Sequence, residues 1–204
     1  VAGGRRETIL QAALECFNER GFAAATVEEI RRRSGASVGS IYHHFGGKES
    51  IAAELYVEGL RGYQEGFLRA LETGDPVGSR GADEASDGAQ AGIRALVAHH
   101  LRWVEHNPEL ARFLMNRRET ELIEATRARV RELNRSFFPQ VTAWVERWVN
   151  AGALRPMSAD LREPVLLGPC QEFSRLWLAG RTRISLRRAE GELADATWNA
   201  VRAG

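Results

Sequence analysis

The sequence predicts an all-α protein, with a small amino-terminal helical head followed by a larger helical body. Three observations carry that reading. No stretch alternates apolar and polar residues as a half-buried strand does, while apolar residues recur every three or four positions over most of the chain. Thr26 followed three residues later by Glu29 is a capping box, a signal that opens a helix. Gly35 and Gly46-Gly47 then break the pattern so that two short helices lie on either side of Gly35.

Nothing in residues 1 to 4, Val-Ala-Gly-Gly, favours order. Arg5 and Arg6 read either as a solvated helix start or as a short basic arm reaching a nucleic-acid backbone or minor groove. The first helix places Ile9, Leu10, Ala13, Leu14 and Phe17 at helical spacing and ends at Gly21. The second is expected from about Val27 to Arg33, the turn at Ser34-Gly35-Ala36, and the third from Val38 to His44 behind the capping residue Ser37. Two short helices joined by a three-residue, glycine-containing turn form a helix-turn-helix, whose second helix is sized for a DNA major groove. Ile30 and Ile41 should tie both to the first helix, with Phe45 in the core.

The fourth helix should run from Lys48 to about Leu71, with Ile51, Leu55, Leu60, Tyr63 and Phe67 along its apolar stripe. Gly59, Gly62 and Gly66 lie inside it, each costing about 1 kcal/mol relative to Ala. They make the helix compliant or they allow close packing. As the one covalent link expected between head (residues 1–47) and body (residues 48–204), this helix would carry any signal between them. Residues from about 73 to 92, rich in Gly, Ala, Asp and Ser, read as a mobile loop. From Ile93 onward the chain reads as helix. Ile93, Val97, Leu101 and Val104 share a stripe, and Asn107-Pro108 restarts a short helix holding Leu110, Phe113 and Leu114. A long helix to Asn150 carries Val130, Phe137, Val141, Trp144 and Trp148, with a kink expected from Pro139. Two more helices follow, over about 159–179 and 186–202.

Formal net charge is only +1. Over residues 1–48, seven Lys and Arg against five Glu leave +2, so any DNA contact rests on placed groups rather than bulk charge. Lys48 is the only lysine among 28 basic residues. Cys16 and Cys170 lack metal-ligand spacing, and Cys16 reads as a buried structural thiol. Adjacent His99 and His100 point about 100° apart on a helix, and with His106 they read as packed or solvated rather than as a metal site. No cofactor motif and no enzyme constellation is found, and no apolar run approaches the roughly 18 residues of a membrane span. The expectation is a soluble, cytoplasmic, non-enzymatic protein.

In the third helix, Ser37 and Gly39 let the helix N-terminus approach a DNA backbone, where free N–H groups favour an anion. Ser40 and His43 are placed to reach base edges and Val38 a thymine methyl. Thr26 and Lys48, each at a helix N-terminus, are expected phosphate clamps. The pattern T-V-E-E-I, then S-G-A-S-V-G-S-I-Y-H-H-F, then G-K-E resembles the DNA-binding signature of the TetR (tetracycline-repressor-like) family, and A-A-L-E-C-F-N-E-R-G-F resembles that family's first helix. The match covers roughly residues 6 to 52; beyond it the likeness is one of size and helical layout. Arg31 departs from the small residue usual after the isoleucine. The resemblance implies that Tyr42 meets DNA, mainly at phosphate, that the partner is a double-stranded operator, and that the chain works as a homodimer.

All five tryptophans lie in the body. They are ordinary core, or, with a few polar groups, they line a site for a small, largely apolar effector. The candidates for that lining are Trp103, Phe113, Trp144, Trp148 and Gln171. The penultimate helix is apolar on two faces and so has two partners to satisfy. One face holds Leu166, Cys170, Phe173 and Trp177, and the last helix adds Leu193, Thr197 and Ala200 for a four-helix interface with a second subunit. The reading is a dimeric, ligand-responsive transcriptional regulator, most simply a repressor. Its rivals are a helical small-molecule-binding protein and an architectural DNA binder without effector control.

Overall fold

The computed structural model describes residues 2–73, 82–115 and 120–204, with side chains over 4–72, 84–115 and 126–204. They form α1 (Ala2–Arg20), α2 (Val27–Ser34), α3 (Val38–Phe45), α4 (Lys48–Thr73), α5 (Ala82–His106), α6 (Pro108–Met115), α7 (Thr120–Asn150), α8 (Ala159–Leu178) and α9 (Leu186–Val201). Among the described residues there is no strand, only an isolated bridge between Leu154 and Arg202. The fold is all-α, as the sequence predicts. Two boundaries differ. Helix α1 begins at Ala2 and so takes in glycines expected to be disordered. Helix α5 begins at Ala82, so the loop expected over about 73–92 is helix from there on; residues 74–81 lie outside the described residues.

The reason for the second correction sits on α7. A Cβ on Gly88 would lie 2.6 Å from Trp148 Cη2, and one on Gly92 would lie 2.3 Å from Trp144 Cζ2. Two glycines four residues apart on α5 therefore receive two tryptophans four residues apart on α7. A glycine content that looks like loop chemistry in isolation is what lets these helices touch.

The chain divides into two compact units, Val1–Arg61 with Asn107–Leu133, and Gly62–His106 with Asn134–Gly204. The chain passes between these two units within α4, before α6 and within α7. In the first unit Ile9, Ala13, Phe17, Phe22, Ile30, Ile41 and Ile51 form a buried core. Phe113 joins it from α6, its ring 5.8 Å from that of Phe17. In the second unit α9 packs along α5 and α8, around Phe67, Ile93, Leu96, Trp144, Trp148, Leu166 and Val201.

Candidate nucleic-acid interface

Helix α2 starts as its sequence dictates. Thr26 Oγ1 accepts from the Glu29 backbone N–H at 3.2 Å, and Glu29 Oε2 accepts from the Thr26 N–H at 3.2 Å, so the capping box is closed in both directions. Gly35 ends the helix at φ 63, a left-handed conformation that a β-carbon would strain. Ser37 Oγ accepts from the Ser40 N–H at 3.1 Å and opens α3, and Gly46, at φ 78, closes it by donating to the Tyr42 carbonyl at 2.9 Å.

One turn of α3 faces inward through Ile41, which is fully buried with Ile30. The opposite side is left open. Val38 is 44% and Tyr42 52% exposed, one helical turn apart. Ser37, Gly39, His43 and His44 are also exposed, and Ser40 is half-buried. A Cβ on Gly39 would meet only Ser37 Oγ, at 4.0 Å. Phe45 is half-buried against the core rather than inside it, with the Arg6 guanidinium 5.6 Å from its ring.

Most cations of the head are already paired. Arg6 bonds Glu54, Arg20 bonds Glu29 at 2.8 Å, Arg31 bonds Glu28 at 2.6 Å, and Arg33 bonds Glu19 and lies 3.6 Å from Glu15. The Arg33 pairing holds the Glu19 carboxyl below its usual range. Arg32 is exposed with no ion pair among the described residues, a candidate contact that the Arg31-Arg32-Arg33 run hid in the sequence. Thr26 and Lys48, expected at phosphates, are engaged inside the head. The Thr26 hydroxyl lies 3.2 Å from Glu29 Oε2 as well as capping α2. The Lys48 ammonium donates to the carbonyls of Phe22, Ala23 and Ala25 at 3.0, 3.2 and 3.1 Å.

Of the body residues proposed as an effector lining, Trp144 and Trp148 come together, their rings 6.2 Å apart, and the others lie elsewhere. Phe113 belongs to the first unit's core, because α6 packs on α1. Trp144 and Trp148 are buried in the second unit's core, Trp103 is half-buried with its ring 5.2 Å from Tyr63, and Gln171 is half-buried on α8. What the sequence did not reveal is a buried polar chain. Tyr63 Oη lies 2.9 Å from His100 Nδ1, and His100 Nε2 lies 3.2 Å from Ser174 Oγ, linking α4, α5 and α8. Burial pushes the Tyr63 phenol up and holds His100 down at about 4, so the imidazole is neutral. Beside them Gln64 donates to Asn134 at 2.9 Å, and His99 Nε2 lies 3.0 Å from the Tyr63 carbonyl.

The interface residues also separate. Leu166, Cys170 and Thr197 are at most 3% exposed within their own unit, which corrects their assignment to a second subunit. Steps of four residues along α8 carry Leu166, Cys170 and Ser174 inward, and this leaves Phe173 and Trp177 half-buried on the flank. Leu193 is half-buried and Ala200 exposed. Between α8 and α9 lies an open groove of about 600 Å³ lined by Phe173, Ile184, Arg188 and Leu193. No helix among the described residues is long and apolar enough to cross a membrane.

Residues 9–55 match the family model described as bacterial regulatory proteins, tetR family. The HTH-type transcriptional repressor KstR2 of Rhodococcus jostii (strain RHA1) is 34% identical over 124 residues, 59% of this chain and 57% of that protein. The chain thus spans little more than half the length of that relative. Among solved structures, a bacterial regulatory protein in the tetR family from Rhodococcus RHA1 superposes with TM-score 0.72 at 20% identity over 98% of both chains. FadR of Bacillus subtilis, solved in complex with stearoyl-CoA, gives 0.71 at 17% identity over 95% of this chain and 98% of that one. At such identities the likeness is one of fold.

Proposed function

We propose that this chain, which belongs to the tetR family of bacterial regulatory proteins through the domain at residues 9–55, is a dimeric transcriptional repressor that reads a pseudo-palindromic DNA operator and releases it on binding a small, largely apolar effector. The observation that carries the reading is the outer side of α3. Val38 and Tyr42 stand exposed one turn apart on a helix whose other side is anchored by Ile41. A folded chain gains nothing from leaving that apolar pair in water, whereas a thymine methyl and a sugar-phosphate edge would cover it. Gly39 and the capped N-terminus let backbone approach backbone, and Tyr42 with Arg32 supplies phosphate contacts. Ser40 and His43 stand at base edges. Their replacement by Ala should change sequence preference, each lost contact being worth about 1–3 kcal/mol of discrimination.

An eight-residue recognition helix reads too few base pairs to select one genomic site, which favours two heads on half-sites roughly 34–36 Å apart. Phe173, Trp177, Leu193 and the 52%-exposed Ile184 are the apolar groups on α8, α9 and their connection that a second subunit would cover. For the effector, the aromatic core of the second unit and the buried indole N–H groups of Trp144 and Trp148, which find no acceptor among the described residues, suit an apolar molecule bearing an acceptor oxygen. KstR2's name as a repressor and the stearoyl-CoA bound by FadR are in keeping with both halves of the proposal.

Selection of genomic DNA fragments with the purified protein tests it. The expected result is one enriched pseudo-palindrome, bound at least about 10³-fold more tightly than random duplex at physiological salt. Equal affinity for all duplexes would make the protein an architectural binder, and no enrichment at all would return it to the small-molecule-binding class.

A further inference from the structure

We propose that Glu54 is a positioning residue for DNA reading: its carboxylate, held between Arg6 and Arg129, fixes where the last turn of α3 lies. Arg6 of α1 donates to Glu54 Oε1, and Arg129 Nη1 of α7 lies 2.9 Å from Glu54 Oε2. The carboxylate is the shielded member, its side chain 21% exposed against 41% and 43% for the two arginines. The Arg6 guanidinium also covers the Phe45 ring, its Cζ 5.6 Å from the ring centroid. Phe45 is the last residue of α3, one turn beyond the fully buried Ile41. Ile41 anchors the middle of the helix. Its end is only half-buried, and rests on Phe45 and on what covers Phe45. Tyr42 and His43, the exposed groups offered to DNA, stand between Ile41 and Phe45. A shift of the helix end therefore carries them with it. All of these residues belong to the first unit.

Other ion pairs of this unit reach less far. Arg31 with Glu28, Arg61 with Glu58 and Arg112 with Glu109 pair three residues apart on one helix, and such pairs hold nothing outside that helix. Arg20 with Glu29 and Arg33 with Glu19 join α1 to α2. Glu54 instead ties α4 to both α1 and α7, and one of its two arginines reaches the end of α3. A lone exposed pair contributes little, whereas charges tied into one network keep their geometry. A carboxylate also repels phosphate, so in a DNA-binding unit Glu54 serves by what it holds rather than by touching DNA.

This role rests on the function proposed above, and the test separates the two. The full chain, Glu54→Gln and Arg129→Gln are each titrated with the operator selected from genomic DNA and with a 30-base-pair random-sequence duplex. Glu54→Gln raises the net charge by one and Arg129→Gln lowers it by one. Bulk charge would move random-duplex affinity in opposite directions in the two variants and leave the operator-to-random ratio as in the parent. Positioning predicts that both variants lower that ratio, Glu54→Gln at least about fivefold, the loss of one weak base contact. Adding Arg129→Gln to Glu54→Gln should lower the ratio no further, because Arg129 acts through Glu54. Amide exchange supplies a readout without DNA: in Glu54→Gln it should speed over residues 42–46 and stay at the parent's rate over residues 9–17. A ratio unchanged in Glu54→Gln, or additive losses in the double variant, would overturn the proposal. So would unchanged exchange over residues 42–46, or faster exchange over both segments, which would make Glu54 a residue of general stability. If the parent protein binds no DNA, the proposed function fails, and the hold on α3 stands or falls on the exchange result alone.

Discussion

The head closes the ends of its short helices at the surface, with groups next to one another in sequence. Thr26 with Glu29, and Ser37 with Ser40, close helix ends over three residues, and Arg31 pairs with Glu28 within one turn. The second unit holds two polar groupings, buried or half-buried, whose members come from distant segments. Tyr63, His100 and Ser174 meet from three helices, and Gln64 meets Asn134 across 70 residues. Surface capping leaves the Val38 and Tyr42 side of α3 exposed. Buried pairing commits these side chains to one another, so the helices they join should respond together to any group forced among them.

That contrast is broken most strongly through His100. Burial lowers its pKa from an ordinary 6.5 to about 4. Between those values the unfolded chain binds a proton that the folded chain refuses. The stability of the second unit should therefore be complete above about pH 6.5 and drain as the pH falls toward 4, by up to about 3 kcal/mol. Denaturant titrations across that range should show this slope in the parent and a flatter one in His100→Asn.

Next in size is the α5–α7 contact. Gly92→Ala should cost about 1–3 kcal/mol, because a β-carbon would overlap Trp144. Gly66→Ala should also destabilise, since His99 Cε1 lies 2.3 Å from the added atom and its ring is held on the Tyr63 carbonyl. The same change at Gly191 or Gly62, where nothing lies within 4 Å, should instead raise stability by up to about 1 kcal/mol. Thermal unfolding of the four variants would show whether α4's glycines serve packing or compliance. The structure assigns Gly59 and Gly66 to packing, with Leu110 3.0 Å from a Cβ on Gly59, and leaves only Gly62 open.

Smaller effects are expected at the head. Ser37→Ala should cost about 1 kcal/mol through the lost cap of α3. Gly39→Ala should leave the fold intact or stabilise it by up to about 1 kcal/mol, yet weaken DNA binding by holding the helix off the backbone. Paired melting and DNA-binding curves would separate the two.

The same division explains what could be read from the sequence. The helix-turn-helix was legible to within a residue or so, because its signals are local: a capping box, Ser37, and glycines at positions that need positive φ. The helical span of α5 was hidden, because Gly88 and Gly92 make sense only with Trp148 and Trp144 more than 50 residues away. Phe113 looked like a body residue until α6 was seen to pack on α1. His99 and His100 showed no metal spacing, but nothing nearby in sequence revealed Tyr63 and Ser174 as their partners. On α8, apolar residues on two faces did not say which face turned inward, and Leu166 and Cys170 turned inward.

The central claim is that the outer side of α3 is kept for DNA rather than for the fold. Tyr42→Ala measures it most directly, with thermal unfolding and operator affinity taken on the same preparation. With Tyr42 52% exposed, the account predicts a melting temperature like the parent's, stability being unchanged within about 0.5 kcal/mol. It also predicts operator affinity reduced at least about tenfold, the loss of one good contact. Unchanged operator affinity, or a clear drop in melting temperature, would show that Tyr42 serves the head's own packing and would contradict the account.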